Sequence, residues 1–373
     1  MNQRQRIIQE RFLDNEDEVI RRLKKAYKDA LAEVEKKAQV LQNDIDRLST
    51  LSGLATDAEE KARLLSMEQS KVYQKQYQDA LKKQISSILD DLQVKEFATI
   101  DEYLKTCYED GYVGTFYDMQ GQGIPLIVPI DQEAVVRAVQ LDSKISKGLY
   151  TRLGEDVAKL KRKITSEVSR AIATGVSYGQ IAKNLERQSN IGYNNAVRIA
   201  RTEGHRVQTA AAMDACQQAQ DRGADVVKQW DATFDSRTRE SHGMVDGEIR
   251  ELNEKFSNGL MYPGADGPAS EVVNCRCALL QRAKWAVTGG LTKYDGFTKE
   301  LKKFKGPEEY TAFKKAYFSP ENMEYMKFIR AKEEEFDTKD FRDILNRMDD
   351  EDYAVFERLQ AARPQFNGMY RAT

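Results

Sequence analysis

Long amphipathic helices are the feature of this sequence that most limits the folds open to it. Between residues 3 and 49, apolar side chains recur every three to five positions among dense Lys, Arg, Glu and Asp, which is the pattern of a helix with one buried face. A polar break at residues 49–57 precedes a second stretch of this kind, roughly residues 58–92, which Thr56 or Asp57 is suited to cap. The sequence therefore predicts a long N-terminal helical hairpin or arm, used for docking or oligomerisation rather than for catalysis.

The composition agrees with large solvated helical surfaces and more than one modest core. The chain has 373 residues, enough for two or three domains, of which 40% are hydrophobic and 32% charged, with a mean hydropathy of -0.67. The net charge is -2, from 58 basic and 60 acidic residues, so bulk charge does not indicate nucleic-acid binding. With no apolar run of membrane-spanning length and no signal-peptide core, we expect a protein made and kept in a cytoplasm, with reduced thiols.

Beyond the arm, the sequence changes from helical to mixed patterns. A glycine- and aromatic-rich stretch contains a short extended segment at residues 124–130, and helical patterning then resumes. Residues 226–234 alternate as a strand does, and Asp246-Gly247 is the strongest short-range signal of a β-hairpin. We therefore expect a mainly α protein with a small α+β module, in which central helices lead into a compact domain with a short antiparallel sheet. The predicted divisions are a helical arm (residues 1–110), a connector (111–142), the α+β module (143–282) and a charged helical C-terminal tail (283–373).

Residue types that bind metals or perform chemistry are concentrated in one part of the chain. Both histidines and three of the four cysteines lie between residues 205 and 277. Cys275 and Cys277 are expected on a strand within residues 272–280, where side chains two positions apart share a face. With His242 they offer the two thiolates and the imidazole that suit tetrahedral zinc, although cysteines that merely pack as small apolar residues are the alternative. The fourth ligand is left open among His205, Asp235, Glu203 and water.

The charged stretch from Asp235 to His242 allows two interpretations. In a helix, Asp235, Arg239 and His242 would share one face, so the carboxylate either orients the imidazole or belongs to a structural salt-bridge network. The guanidinium groups of Arg237, Arg239 and Arg276 either face phosphates or pair with acidic neighbours. No complete catalytic set accompanies these residues, since the His-Glu-x-x-His, Gly-x-Ser-x-Gly and phosphate-loop motifs are absent. A nuclease that uses Asp235, His242 and a metal is the enzymatic alternative.

Three sequence blocks occur in a specific order. They are Arg201-Thr202-Glu203, then Trp230 followed by Asp235–His242 and Asp246-Gly247, and last Pro263-Gly264 ahead of Asn274–Cys277. In this order the blocks resemble those of the phage Mu F-like family of minor head, or head morphogenesis, proteins. The resemblance covers roughly residues 143–280 and leaves the N-terminal arm and the C-terminal tail outside it.

The resemblance implies a role in the virion. It implies a minor capsid protein present in few copies, assembled in the host bacterial cytoplasm and associated with the portal protein and the capsid interior. Major capsid or scaffold protein and genomic double-stranded DNA, during packaging or ejection, are the further implied partners, with no membrane. Some relatives carry toxin or nuclease domains after the module, but here the residues after Leu280 contain neither His nor Cys, which argues against an effector of the kinds that use them. We therefore expect a structural protein and no enzyme, with a metal-dependent nuclease or a zinc-stabilised nucleic-acid-binding module as alternatives.

Overall fold

The computed structural model is mainly helical, with a small antiparallel sheet and a helical C-terminal region, as the sequence predicts. It describes residues 1–69, 71–124, 154–164, 166, 178–265, 267–287, 291–294, 301–304, 307–338 and 340–364. Among these residues, no helix combines the length and the apolar character that crossing a membrane requires.

The first part of the chain is built from long helices. They are α1 (Gln3–Leu54), α2 (Ala58–Gln69), α3 (Lys71–Gly121) and α4 (Tyr178–Asp221), and residues 154–164 are also helical. The break between α1 and α2 is shorter than predicted, because α1 continues through residues 49–54 and only residues 55–57 separate the two helices. The Asp57 side chain accepts a hydrogen bond from the Glu60 amide at 3.0 Å and so caps α2. The predicted helices on both sides of this break are therefore confirmed.

Helix α3 extends further than the sequence pattern predicts. It continues to Gly121, so the glycine-rich residues 111–121 belong to a helix and not to a connector. One of these glycines allows close packing, because a Cβ atom at Gly111 would lie 2.6 Å from the carbonyl oxygen of Gln208 in α4. The extended segment predicted at residues 124–130 lies, after its first residue, outside the described part of the chain.

A three-stranded antiparallel sheet follows α4, with the strand order β2-β1-β3. Its strands are β1 (Val226–Asp231), β2 (Ile249–Arg250) and β3 (Ala278–Ala283), and the short helices α5 (Glu240–Met244) and α6 (Ala269–Val272) lie in the connections. A second antiparallel pair consists of β4 (Leu291–Tyr294) and β5 (Leu301–Phe304). The chain then forms α7 (Pro307–Tyr317), α8 (Pro320–Phe336), α9 (Phe341–Arg347) and α10 (Asp350–Ala362).

The predicted β-hairpin at Asp246-Gly247 takes a different form. The strand expected at residues 226–234 is confirmed as β1, but α5 lies between β1 and β2, so the Asp-Gly pair does not close a tight hairpin. Gly247 instead forms the turn that leads into β2. Its φ of 78° is a conformation that glycine adopts without strain, and its amide donates to the Trp230 carbonyl at 2.8 Å.

Two further predictions about strands are wrong. β3 begins only at Ala278, so Cys275 and Cys277 precede the strand that was expected to carry them. Asn274 has a left-handed backbone conformation, with φ 53°, and this interrupts the extended path that a strand over residues 272–280 would need. The strands β4 and β5 lie where the sequence favours only helix, because their lysine content makes them resemble the charged helices on either side.

The described residues fall into two compact units. One contains Met1–Phe12, Cys107–Gln132 and His205–Thr373, and the other contains Leu13–Thr106 and Glu133–Gly204. In the second unit the described residues are almost all helical, and Leu23, Ile85 and Ile100 are fully buried. This second unit is therefore a helical assembly with an apolar interior of its own.

A buried tyrosine–glutamate pair lies inside the helical unit. The Tyr27 hydroxyl group donates to Oε2 of Glu96 at 3.1 Å, and Glu96 is 1% exposed. Burial raises the pKa of Glu96 from 4.5 to about 8, although the hydrogen bond from Tyr27 opposes the shift. Between these two values the unfolded chain loses the proton while the folded protein keeps it. The stability contributed by this group is therefore complete below the unfolded pKa and is lost as the pH rises through the folded pKa.

Glu96→Gln is expected to stabilise the protein at neutral pH. The amide keeps an acceptor for Tyr27 and has no proton to lose, so it removes a penalty of about 3 kcal/mol at pH 7. Free energies of unfolding measured between about pH 5 and pH 8 should fall with rising pH in the parent and fall less in the variant. Exposed Glu18 in α1 provides the control, because Glu18→Gln should keep the parental slope. Equal slopes for the parent and Glu96→Gln would contradict the expectation.

The sheet and the C-terminal helices share one hydrophobic core in the first unit. The ring centre of Phe234, which follows β1, lies 5.7 Å from that of Phe313 and 4.9 Å from that of Tyr317, both in α7. Met326 of α8 and Phe356 of α10 are buried in the same cluster. The residues predicted as a C-terminal tail are therefore packed into the compact unit that contains the sheet.

Candidate metal centre

Three buried side chains bring their metal-binding atoms together in the first unit. Nδ1 of His242 lies 3.6 Å from Sγ of Cys275 and 3.4 Å from Sγ of Cys277, and the three ligand atoms lie within 4.8 Å of one another. The residues are 1%, 4% and 3% exposed, respectively. One imidazole and two thiols at these distances form a group that could hold a metal ion.

The position of His242 follows from the short helix α5. The stretch from Asp235 to His242 is helical only from Glu240 onward. Asp235 and His242 therefore do not share a face of one helix. Asp235 lies before the helix and makes two hydrogen bonds with the guanidinium group of Arg276. The helix places the His242 ring in the core, with its centre 5.1 Å from that of Trp230. Of the two interpretations of this stretch, the structural salt bridge agrees with the observed contacts.

The segment Cys275-Arg276-Cys277 presents its alternate side chains to different partners. Both thiols face His242, whereas the Arg276 side chain reaches the aspartate described above. The Thr233 hydroxyl group donates to the Arg276 carbonyl oxygen at 2.9 Å and so fixes the backbone between the two cysteines. The alternation expected of a strand is therefore present, although the segment itself lies outside β3.

The two thiols differ in how tightly they hold their protons. The hydrogen bond from Cys277 lowers the pKa of Cys275 well below its ordinary value of 9.0. Burial, together with this neighbouring thiolate, raises the pKa of Cys277 well above that value. Because a metal binds thiolates, loading the centre would release the proton of Cys277, and metal affinity is expected to rise with pH.

The other candidate ligands are not part of this group. Nε2 of His205 lies 2.6 Å from the carbonyl oxygen of Cys277, and Nδ1 is buried with no hydrogen-bond partner among the described residues. Glu203 is buried on α4 and belongs to the other compact unit. Asp235 is paired with Arg276. Within the described residues the group therefore provides three ligand atoms, and water stays the prediction for the fourth.

The arginines of the charged stretch bond mainly within the protein. Arg276 is paired with Asp235, and Nη2 of Arg239 donates to the Val273 carbonyl oxygen at 2.7 Å. Arg237 is the most exposed of the three. The phosphate-facing role stays a prediction, and Arg237 is the residue best placed for it.

Glu271 is a site residue that the sequence did not reveal. Its Oε2 lies 3.0 Å from Nε2 of His242 and accepts a hydrogen bond from the Ser241 hydroxyl group at 2.9 Å. Glu271 lies in α6, between the Pro263-Gly264 turn and Asn274, in a stretch where the sequence showed no metal-binding or catalytic motif. Its position three residues before the Asn-Cys-Arg-Cys block is the one signal that could have identified it.

Part of the chain is similar to a known protein family and to two curated proteins. Residues 162–280 match the family model described as "Phage Mu protein F like protein", and this range includes all three metal-binding side chains. The chain is similar to "Minor head protein GP7" of Bacillus phage SPP1, with 31% identity over 190 residues, which make up 48% of this chain and 60% of that protein. It is also similar to "NAD(+)--arginine ADP-ribosyltransferase EFV" of Enterococcus faecalis (strain ATCC 700802 / V583), with 28% identity over 323 residues, or 84% of this chain and 61% of that protein.

The similarity covers only part of each of these two proteins. The chain spans about three fifths of the length of these two curated proteins. No solved structure matches it significantly. The family match includes all three of the ordered sequence blocks, so the resemblance seen in the sequence is confirmed. Residues 162–280 are therefore similar to the Phage Mu protein F-like family, and the rest of the chain lies outside that family match.

Proposed function

We propose that the chain is a minor head protein of a tailed phage or prophage, and that it associates with the portal protein and the capsid interior during head assembly. The main support for this proposal is the family match over residues 162–280. The matched residues include the three side chains of the metal centre and the strands β1 and β2. Similarity to the minor head protein of phage SPP1 supports a place in the virion and a structural role. Major capsid or scaffold protein and packaged double-stranded DNA are the further partners in this proposal.

We also propose that the centre formed by His242, Cys275 and Cys277 holds zinc. Thiolates and imidazole suit zinc, whereas magnesium and calcium prefer oxygen ligands. The ion would join α5 to the segment before β3, across 33 residues of sequence between His242 and Cys275. Burial of all three residues supports a stabilising role, since a catalytic zinc needs a coordination position that a substrate can reach.

Two enzymatic alternatives have less support. A metal-dependent nuclease would need DNA to reach the buried centre, and the burial of His242 argues against this use. The ADP-ribosyltransferase activity is that of a named relative, of which this chain covers 61%.

A non-enzymatic alternative, a zinc-stabilised module that binds nucleic acid, predicts a DNA affinity that falls steeply with salt concentration.

Co-expression of the full chain with the portal protein of the same phage tests the proposed role. We expect the chain to elute with the portal ring in gel filtration, and mass spectrometry to find it in purified heads. A portal protein from an unrelated phage is the control and should not retain the chain. A chain that elutes separately from its own portal and is absent from purified heads would rule the proposal out.

A further inference from the structure

We infer that Glu271 positions His242 for metal binding by fixing which imidazole nitrogen carries the proton, an inference that rests on the zinc centre proposed above. Oε2 of Glu271 lies 3.0 Å from Nε2 of His242. An ionised carboxylate only accepts hydrogen bonds, so Nε2 is the nitrogen that carries the proton. In the neutral imidazole, Nδ1 then keeps its lone pair on the side where both thiols lie.

Glu271 is itself held by the helix that carries the histidine. The hydroxyl group of Ser241 donates to the same oxygen, Oε2, at 2.9 Å. Two consecutive residues of α5 therefore contact one carboxylate oxygen on α6. The Glu271 side chain is 25% exposed and that of His242 only 2%, so the hydrogen bond connects the buried imidazole to a carboxylate at the edge of the core. A carboxylate behind a ligating imidazole is a common arrangement in metal sites, where it orients the ring and raises its basicity.

The second histidine provides an internal reference for this effect. Nε2 of His205 lies 2.6 Å from the carbonyl oxygen of Cys277, which only accepts, so His205 also carries its proton on Nε2. Its Nδ1 faces the backbone at Gly264, where a Cβ atom would lie 2.7 Å away. Both imidazoles therefore carry the proton on Nε2, but only that of His242 is hydrogen-bonded to Glu271.

Removing the carboxylate is expected to weaken zinc binding without removing a ligand. Partners of this kind typically change metal affinity by about 10–100-fold. Glu271→Ala should show the full loss, whereas Glu271→Gln keeps an acceptor oxygen for Nε2 and should lose less. Glu240 is an exposed carboxylate on α5, and Glu240→Ala should keep the parental zinc affinity.

Two measurements on the full chain test the inference together. Competition with a chromophoric chelator gives the zinc affinity of the parent and of each variant. Nitrogen-15 NMR of histidine-labelled, metal-free protein, about two pH units above the ordinary imidazole pKa of ~6.5, gives the tautomers. The chain has two histidines, so the spectrum contains two imidazoles. We expect both to be protonated on Nε2 in the parent, and only His242 to leave this tautomer in Glu271→Ala.

The outcomes separate this inference from the zinc proposal. If the parent binds zinc and Glu271→Ala binds it equally tightly, Glu271 has no positioning role and the zinc proposal stands. If the parent binds no zinc, the zinc proposal fails and the inference fails with it. An unchanged His205 signal shows that Glu271→Ala is still folded. Should that variant unfold, Glu271→Leu decides, because it also removes the acceptor for Nε2 while keeping an apolar side chain, and an affinity equal to that of the parent would count against the inference.

Discussion

Cys277→Ser is expected to abolish tight zinc binding and to destabilise the protein at least as much as removal of zinc destabilises the parent. The serine hydroxyl group would replace a soft thiolate ligand at a position 3.4 Å from Nδ1 of His242. When free zinc exceeds its dissociation constant about a thousandfold, binding to the native state alone contributes about 4 kcal/mol. Thermal unfolding with and without a chelator measures this contribution. The chelator should lower the melting temperature of the parent and leave that of Cys277→Ser unchanged.

Cys216 offers a matched control for this experiment. It is a buried cysteine of α4, and burial raises its pKa to about 12, so it stays a thiol at neutral pH. Cys216→Ser is expected to lose stability through its buried hydroxyl group but to respond to the chelator as the parent does. If the chelator has the same effect on Cys277→Ser as on the parent, the cysteines of the centre pack as small apolar side chains and bind no metal.

Lys293→Met is expected to destabilise the fold by about 3–5 kcal/mol. Nζ of Lys293 lies 2.6 Å from Oδ1 of Asp231 and 2.7 Å from Oδ1 of Asp246, and the lysine side chain is only 8% exposed. Burial disfavours the lysine charge, but the two carboxylates prevail and raise the pKa of Lys293. Burial also raises the pKa of Asp246, to about 6, even beside the ammonium group. Removal of that group leaves the carboxylates of Asp231 and Asp246 without the ammonium group that both of them contact.

A double variant separates this charge effect from a loss of packing. Lys293→Met combined with Asp246→Asn should recover part of the lost stability, because it removes one of the uncompensated carboxylates. Lys255 is exposed, and Lys255→Met should change the free energy of unfolding by less than about 0.5 kcal/mol. Urea unfolding of the four proteins, parent included, measures these differences. A Lys293→Met variant as stable as the parent would show that the buried ion pairs do not hold β4 to the sheet.

Local sequence rules predicted the features that depend on local structure. The period of apolar residues indicated the long helices, and the cap at Asp57 is confirmed because capping involves residues only three positions apart. The metal centre was also within reach of the sequence, because histidine and cysteine are rare in this chain. Cys275 and Cys277 both face His242, as predicted from the alternation of side chains along a strand. The two cysteines nevertheless lie before β3 and not in it.

The residues that the sequence did not reveal depend on tertiary contacts. Glu271 and Lys293 each belong to a residue type with many copies among the 60 acidic and 58 basic side chains, so residue type alone does not distinguish them. Glu271 meets His242 across 29 residues of sequence, and Lys293 meets Asp231 across 62. The strand pair β4 and β5 was missed for a related reason, since a lysine buried between two aspartates looks, in sequence, like one more solvated charge.

The zinc content of the full chain, purified in reduced form without chelators, is the most direct test of the metal centre. Elemental analysis should find close to one equivalent of zinc per chain, as a single tetrahedral site requires. The double variant of Cys275→Ser and Cys277→Ser should contain almost none, while Cys216→Ser should match the parent. A parent protein with less than about a tenth of an equivalent of any metal, and a melting temperature unchanged in the double variant, would contradict a metal-stabilised module.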